Sequence, residues 1–151
     1  MIYYKDINGN IYTGDKADYR DTELTGQELN AYLLLQARTS KYAEINSAFD
    51  NAMATSYFMS PALGINIDSR RSATKNDLQN IQTLLSKMER ESWTSIEYVG
   101  YTETKVATKA NIEDMIIEIE ESALGLYQYK WVKWAEIQIA TTIQQIEAVS
   151  W

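Results

Sequence analysis

"QELNAYLLLQARTSKYAEINSAFDNAMATSY", residues 27–57, contains neither proline nor glycine, and the one proline of the chain, Pro61, follows shortly after it. Thr25 with Glu28 three residues later forms a capping-box pattern ahead of this run. The stretch therefore predicts one long helix from Gln27 to about Tyr57, ended by Pro61 and Gly64. Along it Ala31, Leu35, Arg38, Tyr42, Ile45, Phe49, Ala52 and Ser56 alternate spacings of four and three, which is a heptad rather than the broad stripe of an ordinary globular helix. Two readings stand open. The helix either lies on the core of its own domain, or it pairs with copies of itself or with a partner helix. Under the second reading Leu35, Arg38, Tyr42, Ile45 and Phe49 form the interface, with Arg38 as the polar seam residue that sets register or oligomer number.

Ahead of the helix, "IYYKDINGNIYTG" places β-formers at 2–5 and 10–13 around Asn8-Gly9, the signature of a tight hairpin. Asp6, Asn8 and Asn10 alternate as in part of a calcium loop. Gly9 is misplaced for that pattern and no closing glutamate follows, so the segment is read as a turn. Beyond Pro61, "GINIDSRRSATKND" reads as an extended polar connection, with Thr74 and Asp77 capping a helix that carries Leu78, Ile81, Leu85 and Met88 on one face. Arg70 and Arg71 beside Asp68 have the chemistry to clamp a carboxylate or phosphate, but are read as a solvated loop pair. "SIEYVGYTETKVAT" predicts two short strands around Gly100 with Ile96, Tyr98 and Val106 facing inward. Thr108 begins a helix from about Lys109 to Ala140, and Thr141 with Gln144 caps a short terminal helix holding Ile143, Ile146 and Val149.

The helix after Thr108 carries "LGLYQYKWVKWAEIQ", residues 124–138, which is dense in aromatic residues. At 100° per residue, an arc of roughly 200° gathers Ile112, Met115, Ile116, Ile119, Ala123, Leu124, Leu126, Tyr127, Trp131, Trp134 and Ile137. Tyr127, Trp131 and Trp134 thus continue the isoleucine face and are read as core, with a protein interface as the alternative. Lys130 and Lys133 lie in or at the edge of that arc with their stems on the rings, and only Tyr129 points to the polar side. A platform for bases or sugars needs exposed aromatics flanked by basic residues, a pattern the helical phase and the charge oppose. Glu113, Glu120 and Glu121 invite a carboxylate-pair hydrolase reading, but are taken as the solvated flank of the same helix.

The 151 residues include 14 Lys plus Arg against 21 Asp plus Glu, a net charge of −7. That balance opposes binding to a phosphate backbone, so nucleic acid is not an expected partner. Without cysteine or histidine, the serine–histidine, cysteine–histidine and zinc-hydrolase chemistries have no residues to run on. No cofactor or metal is expected. Nothing near the N-terminus reads as a signal peptide, and no apolar run approaches the ~20 residues of a membrane span. The expectation is a soluble protein made in a cytoplasm.

The segment from "TKNDLQNIQTLL" through "LYQYKW" to "ATTIQQIEAV" resembles a domain of unknown function that recurs in tailed-bacteriophage and prophage proteins linked to tail fibres and their assembly. The resemblance covers residues from about 62 to 151 and carries no catalytic residues with it. It implies a structural or assembly role in a phage tail, or a transient chaperone for its fibre. A polysaccharide-degrading enzyme is the remaining alternative. Symmetric tail appendages suit a heptad helix that holds identical chains together.

The expected architecture is therefore α+β and predominantly helical. Residues 1–60 form an N-terminal β-hairpin and a long heptad-patterned helix, an association segment. Residues 61–151 form a small domain with a short β-hairpin and two or three helices. The expected protein is non-enzymatic and homo-oligomeric. Its partners are itself and other tail or tail-fibre proteins, first in the host bacterial cytoplasm and then in the virion tail.

Overall fold

The computed structural model describes residues 1–71 and 76–151. Its elements in chain order are β1 (Tyr3–Lys5), β2 (Ile11–Thr13), β3 (Thr22–Glu23), α1 (Gly26–Thr55), β4 (Tyr57–Ser60), β5 (Ile65–Asp68), α2 (Asp77–Arg90), β6 (Ser95–Val99), β7 (Thr104–Thr108), α3 (Lys109–Ile139) and α4 (Ile143–Glu147). The chain is α+β and mostly helical, with an N-terminal hairpin, a long helix, and a small domain of hairpins and helices after it. Two compact units divide it: residues 1–43 with 135–150, and residues 44–134 with 151. α1 and α3 each contribute to both units, so the division does not fall at the expected 60/61.

In the first unit β1 pairs antiparallel with β2, with Tyr4 opposite Tyr12, across a turn where Gly9 takes φ 90°. Asp6 closes that turn by itself: its carboxylate accepts from the Asn8 and Asn10 amides and from the Asn10 side chain, each at 2.8 Å. The aspartate serves the turn that the plain reading required. β3 adds to the other edge of β1, with Tyr4 opposite Glu23, a strand too short for its sequence to announce. Between β2 and β3 the buried Asp21 accepts from the Tyr12 hydroxyl and, at 2.8 Å, from the Asp18 amide. Lys5 on β1 pairs with Glu28 in the first turn of α1 at 2.7 Å.

The second unit holds the larger core: Leu63, Ile65, Ile67, Ile81, Met88, Ala107, Ile112, Met115 and Ile119. Each fully buried isoleucine contributes about 1.5–3 kcal/mol relative to exposure. Residues 57–68, expected as the helix end and an extended connection, form instead the antiparallel hairpin β4–β5, with Phe58 opposite Ile67 and Ser60 opposite Ile65. Ile65 and Ile67 alternate with Asn66 and Asp68, so one face of β5 enters the core. Pro61 lies in the turn of this hairpin. The helix stops at Thr55, before the proline forces it to.

Thr74 lies outside the described residues. α2 begins at Asp77, with Asn76 as its N-cap, the side chain accepting from the Gln79 amide at 3.2 Å. Ile81 and Met88 are buried on the expected face, and Leu78 and Leu85 pack against the same core. The β6–β7 hairpin sets Ile96 opposite Ala107 and Glu97 opposite Val106. Cross-strand partners share a face, so Val106 points outward with Glu97 and Ala107 takes the inward place expected of Val106. Gly100 sits where a Cβ would come within 2.6 Å of the Asn66 carbonyl oxygen, and the same carbonyl accepts from the Tyr101 amide at 2.8 Å. The two hairpins can abut only because that position has no side chain.

Arg70 turns back on Asp68, at the end of β5, with a forked pair that is part-buried where a solvated loop pair was expected. α4 starts one residue later than its sequence suggested: Thr142 and Gln145 form the capping box, and Ile146 and Val149 are buried.

Candidate functional site

α3 is the element on which the most chemistry collects. Its N-terminus is capped by the Thr108 hydroxyl, which accepts from the Asn111 amide at 3.3 Å, while Asn111 Oδ1 accepts from the Thr108 amide at 3.0 Å. Three side chains then tie the turn after β4 to this helix and to β7. Glu118 accepts from Ser60 Oγ at 2.5 Å and from the Ala62 amide at 2.8 Å. Asn111 donates to the Ala62 carbonyl at 3.0 Å, and Lys105 donates to that of Leu63. With Ser60 fully buried, the Ser60–Glu118 pair is a structural clamp rather than an exposed nucleophile and base.

The inward face of α3 runs Ile112, Met115, Ile119, Ala123, Leu126 and then Lys130 and Lys133. Tyr127, Trp131 and Trp134, expected in the core, are exposed, Trp131 by 54 %. The expected arc was wider than the surface the small unit can cover: its Ile112 side is buried, and the flank bearing the aromatics is not. Below that flank Phe49, Met53 and Ala123 make a small buried cluster with Leu126 and Trp151 against it. Lys130 Nζ lies 4.0 Å from the centre of the Phe49 ring, 5.3 Å from Trp134 and 5.4 Å from Tyr127. Lys133 lies 5.2 Å from the Tyr129 ring, which meets Trp151 edge-on at 5.0 Å. The lysines are thus cations lying over aromatic rings, and the Tyr127 ring also meets that of Phe49 at 4.8 Å. From the sequence the lysine stems were expected on the rings and the ammonium groups in water, whereas here the ammonium groups themselves lie over the rings. Tyr129 itself is not on a purely polar side, because Trp151 covers one edge of it.

The five residues proposed as a helix seam on α1 are not brought together on one free surface. Ile45 and Phe49 are buried, Arg38 and Tyr42 are half-buried, and Leu35 is 61 % exposed. Arg38 has a specific role within the first unit: its guanidinium donates to the Ala140 carbonyl at 2.8 Å, just past the end of α3. A cation at the carbonyl end of a helix is favoured by the helix dipole.

Glu113 pairs with Lys109 at 3.7 Å, and Lys109 also reaches Glu89 at 3.0 Å. Among the described residues no three carboxylates gather to hold a metal ion, and no helix is long and apolar enough to cross a membrane. Comparison with protein-family models, with curated proteins and with solved structures finds no match.

Proposed function

We propose that the protein is a non-enzymatic structural or assembly component of a bacteriophage or prophage tail, associated with the tail fibre. It works in the host cytoplasm during assembly and then in the virion tail. The phage assignment rests on the resemblance of residues 62–151. The observation that supports a binding role is the outward face of α3: tyrosine and tryptophan side chains on a helix, beside Lys130 and open to solvent. Tyr and Trp give large contact area at low entropic cost and dominate the energetics of protein interfaces. Contiguous exposed apolar surface of this kind marks interaction sites.

Mass spectrometry of purified particles from the strain that encodes the chain tests the reading. The protein is expected in the particle, and Trp131→Glu is expected to remove it while leaving the circular dichroism of the purified variant unchanged. Recovery with the fibre in lysate but not in particles favours the chaperone role. Absence from both sinks the proposal.

A further inference from the structure

Asn8 is followed by glycine, and of the chain's asparagines it alone is. The pair that makes the turn is also chemically reactive, because asparagine is a thermolabile residue and glycine has no side chain to keep its amide nitrogen from the preceding carboxamide. Both residues are exposed, and a Cβ at Gly9 would meet nothing within 4 Å, so nothing nearby crowds a ring closing between them. What opposes the closure is hydrogen bonding. The Gly9 N–H donates to the Asp6 carbonyl at 3.0 Å, and the Asp6 amide donates to the Asn10 carbonyl at 2.9 Å. On either side of Gly9 the Asn8 and Asn10 amides donate at 2.8 Å to one oxygen of the Asp6 carboxylate, and the Asn10 side chain donates to the other. The Asn10 side chain, ahead of the backbone amides, holds the Asp6 carboxyl below its ordinary value, so it is charged and accepting at neutral pH.

We propose that Asn8 is a site of spontaneous deamidation gated by the β1–β2 turn, with the Asp6 carboxylate holding the gate shut. When the turn opens locally, the Gly9 nitrogen gives its proton to solvent base and attacks Cγ of Asn8. The N–Cγ bond forms, the Cγ–Nδ2 bond breaks, and ammonia leaves with a proton returned from water, giving a succinimide. Water then opens that ring at either carbonyl, to aspartate or to isoaspartate. The net change is one water taken up and one ammonia released, with no oxidation or reduction. Either product adds a carboxylate two residues from Asp6. Isoaspartate also lengthens the main chain by one carbon between the strand partners Lys5 and Ile11, so the turn no longer closes in its register. This chemistry belongs to residues 6–10 and is independent of the phage assignment.

The test incubates the full chain at mildly alkaline pH, folded and in guanidinium chloride, beside folded Asp6→Ala. Peptide mapping by mass spectrometry follows residue 8, and chromatography separates its aspartate and isoaspartate forms. The folded parent is expected to convert at Asn8 ahead of Asn46, which lies within α1, and more slowly than the unfolded chain. Asp6→Ala is expected to keep its helical circular dichroism and to convert about tenfold faster than the parent, the size of one lost hydrogen bond to a charged group. If Asp6→Ala loses that helical signal, Asp6→Asn, which keeps one acceptor oxygen without the charge, carries the same comparison. Asn8 still intact in the folded parent once the unfolded chain has converted overturns the site. Equal rates in the folded and unfolded parent overturn the gate, and an Asp6 variant no faster than the parent overturns the part given to Asp6.

Discussion

Lys130 shows how one residue can serve packing and surface at once. Tyr127 and Trp134 stand three residues before and four after it, so helical spacing alone places both rings beside its stem. Phe49 comes from α1 and completes the surround at 4.0 Å. Lys130→Met keeps the apolar stem and removes the cation, and is expected to cost about 1 kcal/mol in urea unfolding, the size of a partly exposed cation–π contact. Tryptophan emission should shift as Trp134 loosens; an unchanged unfolding midpoint would show that the ammonium adds nothing.

Tyr98, which packs against the large core, has its hydroxyl pushed up to about 12 from an ordinary 10.0, first by burial and then by the charges of Asp77 and Asp68. The folded state thus holds the phenolic proton more tightly than the unfolded chain. The stabilisation is complete below pH ~10 and is lost as pH rises from there towards 12. Urea midpoints at pH 9 and pH 11 should therefore fall further for the parent than for Tyr98→Phe. Equal losses in both would refute the assignment.

Helix α1 shows where the members of its heptad lie in the folded chain. The absence of proline and glycine over residues 27–57 made a long helix the only economical reading, and the helix is there from Gly26 to Thr55. Ile45, Phe49 and Met53 turn inward at spacings of four, so this part of the expected seam is taken by the chain's own core. Arg38, read from the sequence as a seam residue setting oligomer number, donates to Ala140 at the end of α3. Its Nε is buried without a hydrogen-bond partner, which offsets part of the gain. Arg38→Met is therefore expected to lower stability by about 1 kcal/mol and to leave the solution mass unchanged. A seam role would give the reverse, a more stable assembly of altered mass.

The β elements were legible in proportion to their turn chemistry. Asn8-Gly9 and Gly100 announced β1–β2 and β6–β7, whereas β4–β5 turns at Pro61–Gly64 and was masked by a proline that reads as a helix stop. Its alternating "INID" was the signal that could have found it. Val106 and Ala107 exchange places because a one-residue difference in register reverses every side chain of a strand.

At the scale of the molecule, the two units draw α1 and α3 from both, and the functional reading depends on which helix keeps an apolar face in solvent. The expected association surface was α1; the exposed aromatic face belongs to α3. Both helices carry apolar residues at helical spacing, and spacing is a property of one helix in isolation, so it cannot tell which stripe the rest of the chain will cover.

The local steps were determined by the sequence itself: which runs are helical, that Asn8-Gly9 and Gly100 turn, and that the chain offers no histidine or cysteine side chain. These depend on backbone sterics and on hydrogen bonds between near neighbours. Only the tertiary structure decided that Ile45 and Phe49 go inside while Trp131 and Leu124 stay outside. A small core covers only part of a wide apolar arc, and contacts far apart in sequence, such as Phe49 with Lys130 and Glu118 with Ser60, determine which part it covers.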